Sequence, residues 1–167
     1  VLHTSGLLDH SALAALAPTG ASLGSLHPLQ TLRAIEGSPE ALVGAPAIVE
    51  GEPRALEAAR DLAARLQMAP IVTVRGEGKA RYHAAAVFAS NYLVTLYRAA
   101  ARAFEAAGAP PEALLPLMRR TIDNGFDLTG PIARGDWTTV EAHLATLAAE
   151  LPDLAPLYRS LAEATRP

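Results

Sequence analysis

The apolar positions in the first half of the chain form short runs that alternate between strand and helix patterns. Helical spacing predicts helices over residues 9–16, where Pro18 and Gly20 stop the helix, and over residues 53–67. Residues 33–45 show neither the strand nor the helix period, which predicts a loop. The strand-like runs are rich in residues that favour extended backbone and cover residues 1–2, 21–26, 45–50 and 70–74. Strands that alternate with helices indicate βαβ units and a largely parallel sheet.

The second half of the chain has only helical periodicity. A long run over residues 80–107 is followed by a helix over 111–124, and a loop is predicted over 128–135. Thr138 to Glu141 form a capping box that opens a further helix to about residue 151, and a last helix covers 156–165. The sequence therefore predicts an α/β part over residues 1–78 and an all-α part over 79–167.

Composition narrows the function classes. The chain is 50% hydrophobic with a net charge of -3 and no lysine or arginine cluster, which disfavours nucleic-acid partners. It contains no cysteine, which excludes disulfides and fits a cytoplasmic location. Its apolar runs are too short for a membrane helix. His3, His27 and His83 lack metal-ligand spacing, so we expect no metal site.

Polar side chains lie along one stripe of the predicted long helix. At helical spacing, His83, Val87 and Ser90 share a face, with Asn91 at its edge. Buried polar groups among alanines need partners, which a ligand could supply. A helix–helix contact with a satisfied histidine explains the same pattern, and spacing alone leaves both interpretations open.

The segment LTGPIARGD, residues 128–136, places three polar side chains in one turn between helices. Arg134 could bind a carboxylate or phosphate through its planar fork of donors, with Thr129 and Asp136 beside it. Alternatively, Asp136 caps the following helix and Arg134 pairs with a nearby carboxylate. Elsewhere, Gly76 to Lys79 only superficially suggests a phosphate loop, because no third glycine follows.

Four motifs together resemble one family: HTSG at 3–6, GSLHPLQT at 24–31, YHAAAVFASNYLVTL at 82–96 and LTGPIARGD at 128–136. This is the family of Rossmann-like oxidoreductases that carry the C-terminal domain of unknown function 2520. The resemblance covers nearly the whole chain, in order. The family is related to pyrroline-carboxylate and ketopantoate reductases and to hydroxyacid dehydrogenases, which join a nucleotide-binding domain to a helical dimerisation domain.

The resemblance implies a partial Rossmann-like sheet followed by a helical dimerisation domain, a homodimer, and NADP or NAD as cofactor. It implies a catalytic set in which His83 or His27 is the acid/base and Ser90 and Asn91 donate hydrogen bonds. It implies a substrate-binding set of Thr129, Arg134 and Asp136. The implied cofactor-binding residues are His3, Ser5, Gly6, His27, Pro28 and Gln30.

The sequence departs from the relatives at two points. Related hydroxyacid dehydrogenases carry a lysine four residues before an asparagine of the long helix. In this chain the asparagine is Asn91, and the residue four positions before it is Val87. The glycine fingerprint of the first nucleotide-binding half is also absent from this sequence. We therefore expect the C-terminal portion of an NAD(P)-dependent oxidoreductase, inactive alone, that acts on a small carbonyl, imine or hydroxy-acid substrate. The alternative is a non-catalytic homodimerisation or binding module.

Overall fold

The first half of the chain forms a four-stranded sheet. The computed structural model describes residues 1–32 and 39–166. The strands lie in the sheet in chain order, β1-β2-β3-β4. They are β1 (Leu2–His3), β2 (Gly24–Pro28), β3 (Ala47–Gly51) and β4 (Ile71–Thr73). This sheet and the helices that follow it confirm the predicted fold class, α/β followed by all-α.

One strand pair differs from the predicted parallel arrangement. β1 and β3 each run parallel to the strand after them, but β2 and β3 are antiparallel. The two parallel pairs are joined by helices, a 3-10 helix at His10–Thr19 and helix α1 at Pro53–Arg65. Parallel strands need such a crossover connection. Between β2 and β3, the described residues contain one short 3-10 helix, Pro39–Leu42, and residues 33–38 of the predicted loop lie outside the described residues.

Helix α1 packs on one face of the sheet through alanines. Ala55, Ala59 and Ala63 recur at every fourth position and are all buried. Their small side chains let the helix approach β2 and β3 closely, and Leu26 and Val49 complete this core. The apolar core therefore lies between α1 and the sheet.

The other face of the sheet carries polar side chains. Side chains alternate along a strand, so Ser25 and His27 point away from the face that Leu26 shares with α1. In register, Ser25 lies between His3 on β1 and Glu50 on β3. A row of polar groups thus crosses three strands, and Ser25 and Glu50 are both buried.

The predicted long helical run is confirmed, with one irregularity. It consists of α2 (Lys79–Val87), a π-helical segment (Phe88–Tyr92) and α3 (Leu93–Ala106). A π-helical turn inserts one extra residue per turn and occurs often at functional sites. The remaining helices are α4 (Leu114–Asp123), α5 (Gly130–Ala133), α6 (Trp137–Glu150) and α7 (Ala155–Ala164).

Three local predictions differ from the structure, while the predicted stop at Gly20 is confirmed. Pro18 does not stop the first helix but lies within its 3-10 turns, and Gly20 ends it with a left-handed backbone (φ 75°). The predicted loop over 128–135 contains the short helix α5. Asp136, not Thr138, caps α6, because its carboxylate accepts the backbone N–H of Thr139 at 3.2 Å.

The chain divides into two compact units, Val1–Leu93 and Val94–Pro167. After residue 78, where the domain boundary is predicted, strands give way to helices. That boundary stays a prediction. Within residues 1–32 and 39–166, no helix combines the length and apolar character needed to cross a bilayer.

Candidate functional site

Two histidines and a glycine converge in the first unit. His27 is the penultimate residue of β2 and His83 lies in α2, and their ring centroids are 6.1 Å apart in an edge-to-face arrangement. Gly6, in the turn after β1, packs against both rings. A Cβ added to Gly6 would lie 2.6 Å from Cδ2 of His83 and 2.9 Å from Nε2 of His27. Only glycine fits at this point without moving a ring.

Tyr82 orients the His27 ring. The Tyr82 hydroxyl and Nδ1 of His27 are hydrogen-bonded at 2.6 Å. Burial raises the pKa of Tyr82 to about 12, so the phenol keeps its proton at neutral pH. Burial also lowers the pKa of His27, and the charges of Lys79 and His83 act in the same direction. His27 is therefore a neutral imidazole at pH 7, able to accept or donate a proton.

A cavity of about 570 Å³ opens beside these residues. Its volume lies in the range of small-molecule sites, and alanines of α2 form much of its apolar wall. The polar groups in its lining come from the end of β2 and from the long helical run: His27, Gln30, Thr31, Tyr82, His83, Ser90 and Asn91. The structure thus brings together all four residues of the predicted catalytic set.

The π-helical segment presents Ser90 and Asn91 to this cavity. The Ser90 hydroxyl donates to the carbonyl oxygen of Ala86 at 2.6 Å and lies 2.9 Å from Oδ1 of Asn91. Because the helix widens here, Ser90 and Asn91 both line the cavity with His83. The sequence pattern placed Asn91 only at the edge of the stripe.

Hydrogen bonds from its own side chains shape the turn after β1. The backbone N–H of Ser5 donates to Nδ1 of His3 at 3.1 Å, so Nε2 of His3 carries the proton and donates to the Asp9 carbonyl at 2.9 Å. The Ser5 hydroxyl oxygen accepts the backbone N–H groups of Leu7 and Leu8. His3 and Ser5 therefore fix the turn, whereas Gly6 is the residue that meets the histidine rings.

Gln30 and Pro28 are the remaining predicted cofactor-binding residues, and only Gln30 lines the cavity. Gln30 lines the cavity, and its Oε1 accepts the backbone N–H of Thr31 at 2.9 Å. Pro28 pairs in register with Ala47, on the face of the sheet opposite His27. A cofactor contact of Pro28 stays a prediction.

Sequence reasoning missed Lys79 and its partners. Lys79 is the only lysine in the sequence, and its side chain is buried beneath the turn after β1. Glu50 and His10 are also paired: Glu50 accepts the His10 backbone N–H at 2.9 Å and contacts its ring Nδ1, which raises the pKa of His10. A glutamate at the end of the apolar strand AIVEG was the available signal, because a buried carboxylate needs a partner.

The predicted substrate-binding residues lie in the second unit. Thr129 precedes α5, and Arg134 ends it. The Asp136 carboxylate is engaged with Thr139, whose hydroxyl donates at 2.7 Å, and these bonds lower the pKa of Asp136. The capping interpretation of Asp136 thus holds, and substrate contacts of all three residues stay predictions. Across residues 1–32 and 39–166, no cluster of His, Asp or Glu could hold a metal ion.

A family model matches most of the chain. The family is described as "Domain of unknown function (DUF2520)", and the match covers residues 45–165. The chain belongs to this family. The match includes β3, α1 and β4, the Tyr82–His83 pair and every helix of the second unit, and it confirms the DUF2520 part of the resemblance. No curated protein matches this DUF2520 chain.

Two solved structures share the fold of this DUF2520 chain. One is the "putative NADP oxidoreductase BF3122" of Bacteroides fragilis, with a TM-score of 0.78 and 24% identity over 98% of this chain. This chain spans 63% of the Bacteroides protein's length. The other is protein TM1727 of Thermotoga maritima, with a TM-score of 0.69 and 28% identity. The match covers 98% of this chain and 68% of the Thermotoga protein's length.

Proposed function

We propose that this chain is the C-terminal portion of an NAD(P)-dependent oxidoreductase that acts on a small carbonyl, imine or hydroxy acid. The observation that carries the proposal is the convergence of Gly6, His27 and His83 beside a cavity of about 570 Å³. The Bacteroides protein named a "putative NADP oxidoreductase" supports the choice of cofactor. Membership in the DUF2520 family fits the proposal and names no substrate.

The residues of the cavity fit the nicotinamide end of such a cofactor and a small substrate. Because Gly6 has no side chain, the backbone of its turn approaches the cavity's histidines closely. When bound, the cofactor supplies or takes a hydride. His83 or His27 exchanges a proton with the substrate oxygen or nitrogen, and a neutral imidazole suits this near pH 7.

The other cavity residues orient the substrate. Asn91 offers an amide to a carbonyl oxygen or an amine, and Ser90 fixes the π-helical backbone through its bond to Ala86. Tyr82 holds the His27 ring in place.

A cofactor titration of the complete protein, purified from its native source, tests this proposal. We expect saturable binding of NADPH or NADH, with dissociation constants in the range of ordinary KM values. The measurement follows cofactor fluorescence and the melting temperature, with adenosine as the control ligand. Unchanged fluorescence and melting temperature at saturating NADPH and NADH would contradict the proposal.

A non-catalytic homodimerisation module is the second candidate, and exposed apolar side chains favour it. In the first unit, Phe88 is 69% exposed and Tyr92 50% exposed. In the second unit, Leu117 and Phe126 are 63% and 72% exposed. Phe88 and Tyr92 contact each other edge to face, and neighbouring large apolar side chains that are exposed often mark an interaction surface. A dimer is compatible with both candidate functions.

The expected assembly is a homodimer. Sedimentation equilibrium at micromolar concentration should give about twice the chain's 17.4 kDa, because covering these side chains removes apolar surface from water. Phe126→Ser should weaken the dimer, whereas Leu7→Ser, an exposed leucine in the turn after β1, should leave it unchanged. A strictly monomeric chain at micromolar concentration would refute the homodimer.

A further inference from the structure

Lys79 is a buried basic residue outside the cavity lining. Its relative exposure is 1%, although it is the first residue of α2. Its Nζ donates to the carbonyl oxygen of Ser5 at 2.9 Å and to Oγ of Ser25 at 3.2 Å. A buried ammonium group is costly unless hydrogen bonds compensate its lost hydration. The chain has arginine at its thirteen other lysine or arginine positions, and the larger guanidinium, with five N–H donors, would need more acceptor partners.

Ser25 links Lys79 to a buried carboxylate. The Ser25 hydroxyl lies 3.2 Å from Nζ of Lys79 and 3.5 Å from Oε2 of Glu50. Glu50 in turn holds the start of the His10–Thr19 helix through the backbone N–H of His10. Burial lowers the pKa of Lys79, and the nearby charge of Glu50 opposes that shift. Lys79 therefore belongs to a bridged pair of opposite charges on the polar face of the sheet.

The hydrogen bond from Lys79 to the Ser5 carbonyl oxygen connects this charged pair to the candidate site. Ser5 directly precedes Gly6, whose Cα leaves no room for a Cβ beside His27 and His83. Any displacement of the turn therefore moves Gly6 relative to both rings. We propose that Lys79 is a positioning residue of the candidate site, which fixes the Ser5–Gly6 turn against His27 and His83. The functional role of the site rests on the proposed function, whereas the hydrogen bond from Lys79 to the Ser5 carbonyl does not.

A purely structural ion pair would give a different result from a positioning residue. If Lys79 only balances Glu50, removing both charges together should restore everything that removing Lys79 disturbs. If Lys79 fixes the turn, Lys79→Met with Glu50→Gln should regain stability but leave the turn loose. The experiment therefore compares Lys79→Met with this double variant, and Arg60→Met serves as a control for losing a basic side chain in the same unit.

The readouts are amide hydrogen exchange and histidine titration by NMR, which need no cofactor. In the double variant, we expect the Leu7 and Leu8 amides to exchange at least ~10-fold faster than in the native chain, because the turn opens more often. The groups facing His27 are Tyr82, His83 and Lys79, so loss of the lysine charge should raise the titration midpoint of His27. Native exchange rates at Leu7 and Leu8 in the folded double variant would overturn the proposal, whatever the His27 midpoint, which reports only the loss of the lysine charge.

A measurement on the native chain covers the case in which the variants fail to fold. Because the sequence has one lysine, lysine-specific ¹⁵N labelling gives a single side-chain ammonium signal. Its hydrogens should exchange with water at least ~10-fold more slowly than those of free lysine, as expected for a buried, bonded group. Exchange at the rate of free lysine would overturn the proposal. Neither outcome depends on cofactor binding, so the failure of this inference and that of the proposed function are distinguishable.

Discussion

Replacing His83 with alanine in the complete protein should lower turnover by about 100- to 10,000-fold, the usual contribution of a positioned acid/base group. His83 lines the cavity, faces His27 edge to face and contacts Gly6. We expect its imidazole to pass the proton to or from the substrate, because an imidazole can exchange protons near pH 7. The measurement is the rate of NADPH oxidation with a panel of small carbonyl and imine substrates.

His143→Ala is the matched control for this change. Like His83, His143 lies in a helix and makes an edge-to-face ring contact, with Tyr158 at a centroid distance of 5.9 Å, but it lies in the second unit. The two variants should have similar melting temperatures, while only His83→Ala loses turnover. If His83→Ala turns over normally but shifts the melting temperature or the dimer equilibrium, the histidine is structural and the module interpretation gains support.

Gly6→Ala should lower the free energy of unfolding by about 1–3 kcal/mol, the usual cost of adding a methyl group to a filled site. The new Cβ would lie 2.6 Å from Cδ2 of His83 and 2.9 Å from Nε2 of His27, closer than Cβ atoms approach other heavy atoms. One ring must therefore move, and turnover of the complete protein should fall with it. Urea unfolding and the ring resonances of the two histidines measure both consequences.

Gly78→Ala separates this contact from the general effect of replacing a glycine. A Cβ at Gly78 would meet only Cγ1 of Val74, at 3.1 Å, and that methyl group can shift by rotation of its own side chain. Gly78 has a negative φ of -86°, so alanine adopts its backbone without strain. Equal stability of the two variants would mean that Gly6 does not pack against the rings as described.

The sequence predicted the helices and strands more completely than it predicted how the strands pair. Period-two and helical patterns depend on neighbouring residues, so β2, α1 and the long helical run were predictable within a few residues. The antiparallel pairing of β2 with β3 was not, because strand direction depends on contacts between residues that are far apart in the sequence. The cap of α6 was also misassigned: Thr138 to Glu141 fits a capping box, but the Asp136 carboxylate occupies the cap.

The candidate site was predictable where a motif carried it. His27 and His83 were assigned to one crevice by resemblance, and the structure brings both to the same cavity. Tyr82 was quoted in the same motif but given no role, since its bond to His27 joins residues 55 positions apart. Such a contact leaves no periodic trace in the sequence.

The sequence by itself determined the order and type of the elements, the family and the histidines to consider, because these depend on local pattern and motif. Only the tertiary structure decided which face of β2 meets which helix, and hence that Gly6 lies against two imidazole rings. It alone decided that Lys79 is buried, since a lysine after Gly76–Gly78 has the local pattern of an exposed loop residue. Burial of a charge depends on partners far along the chain, here Ser5, Ser25 and Glu50, that only folding brings together.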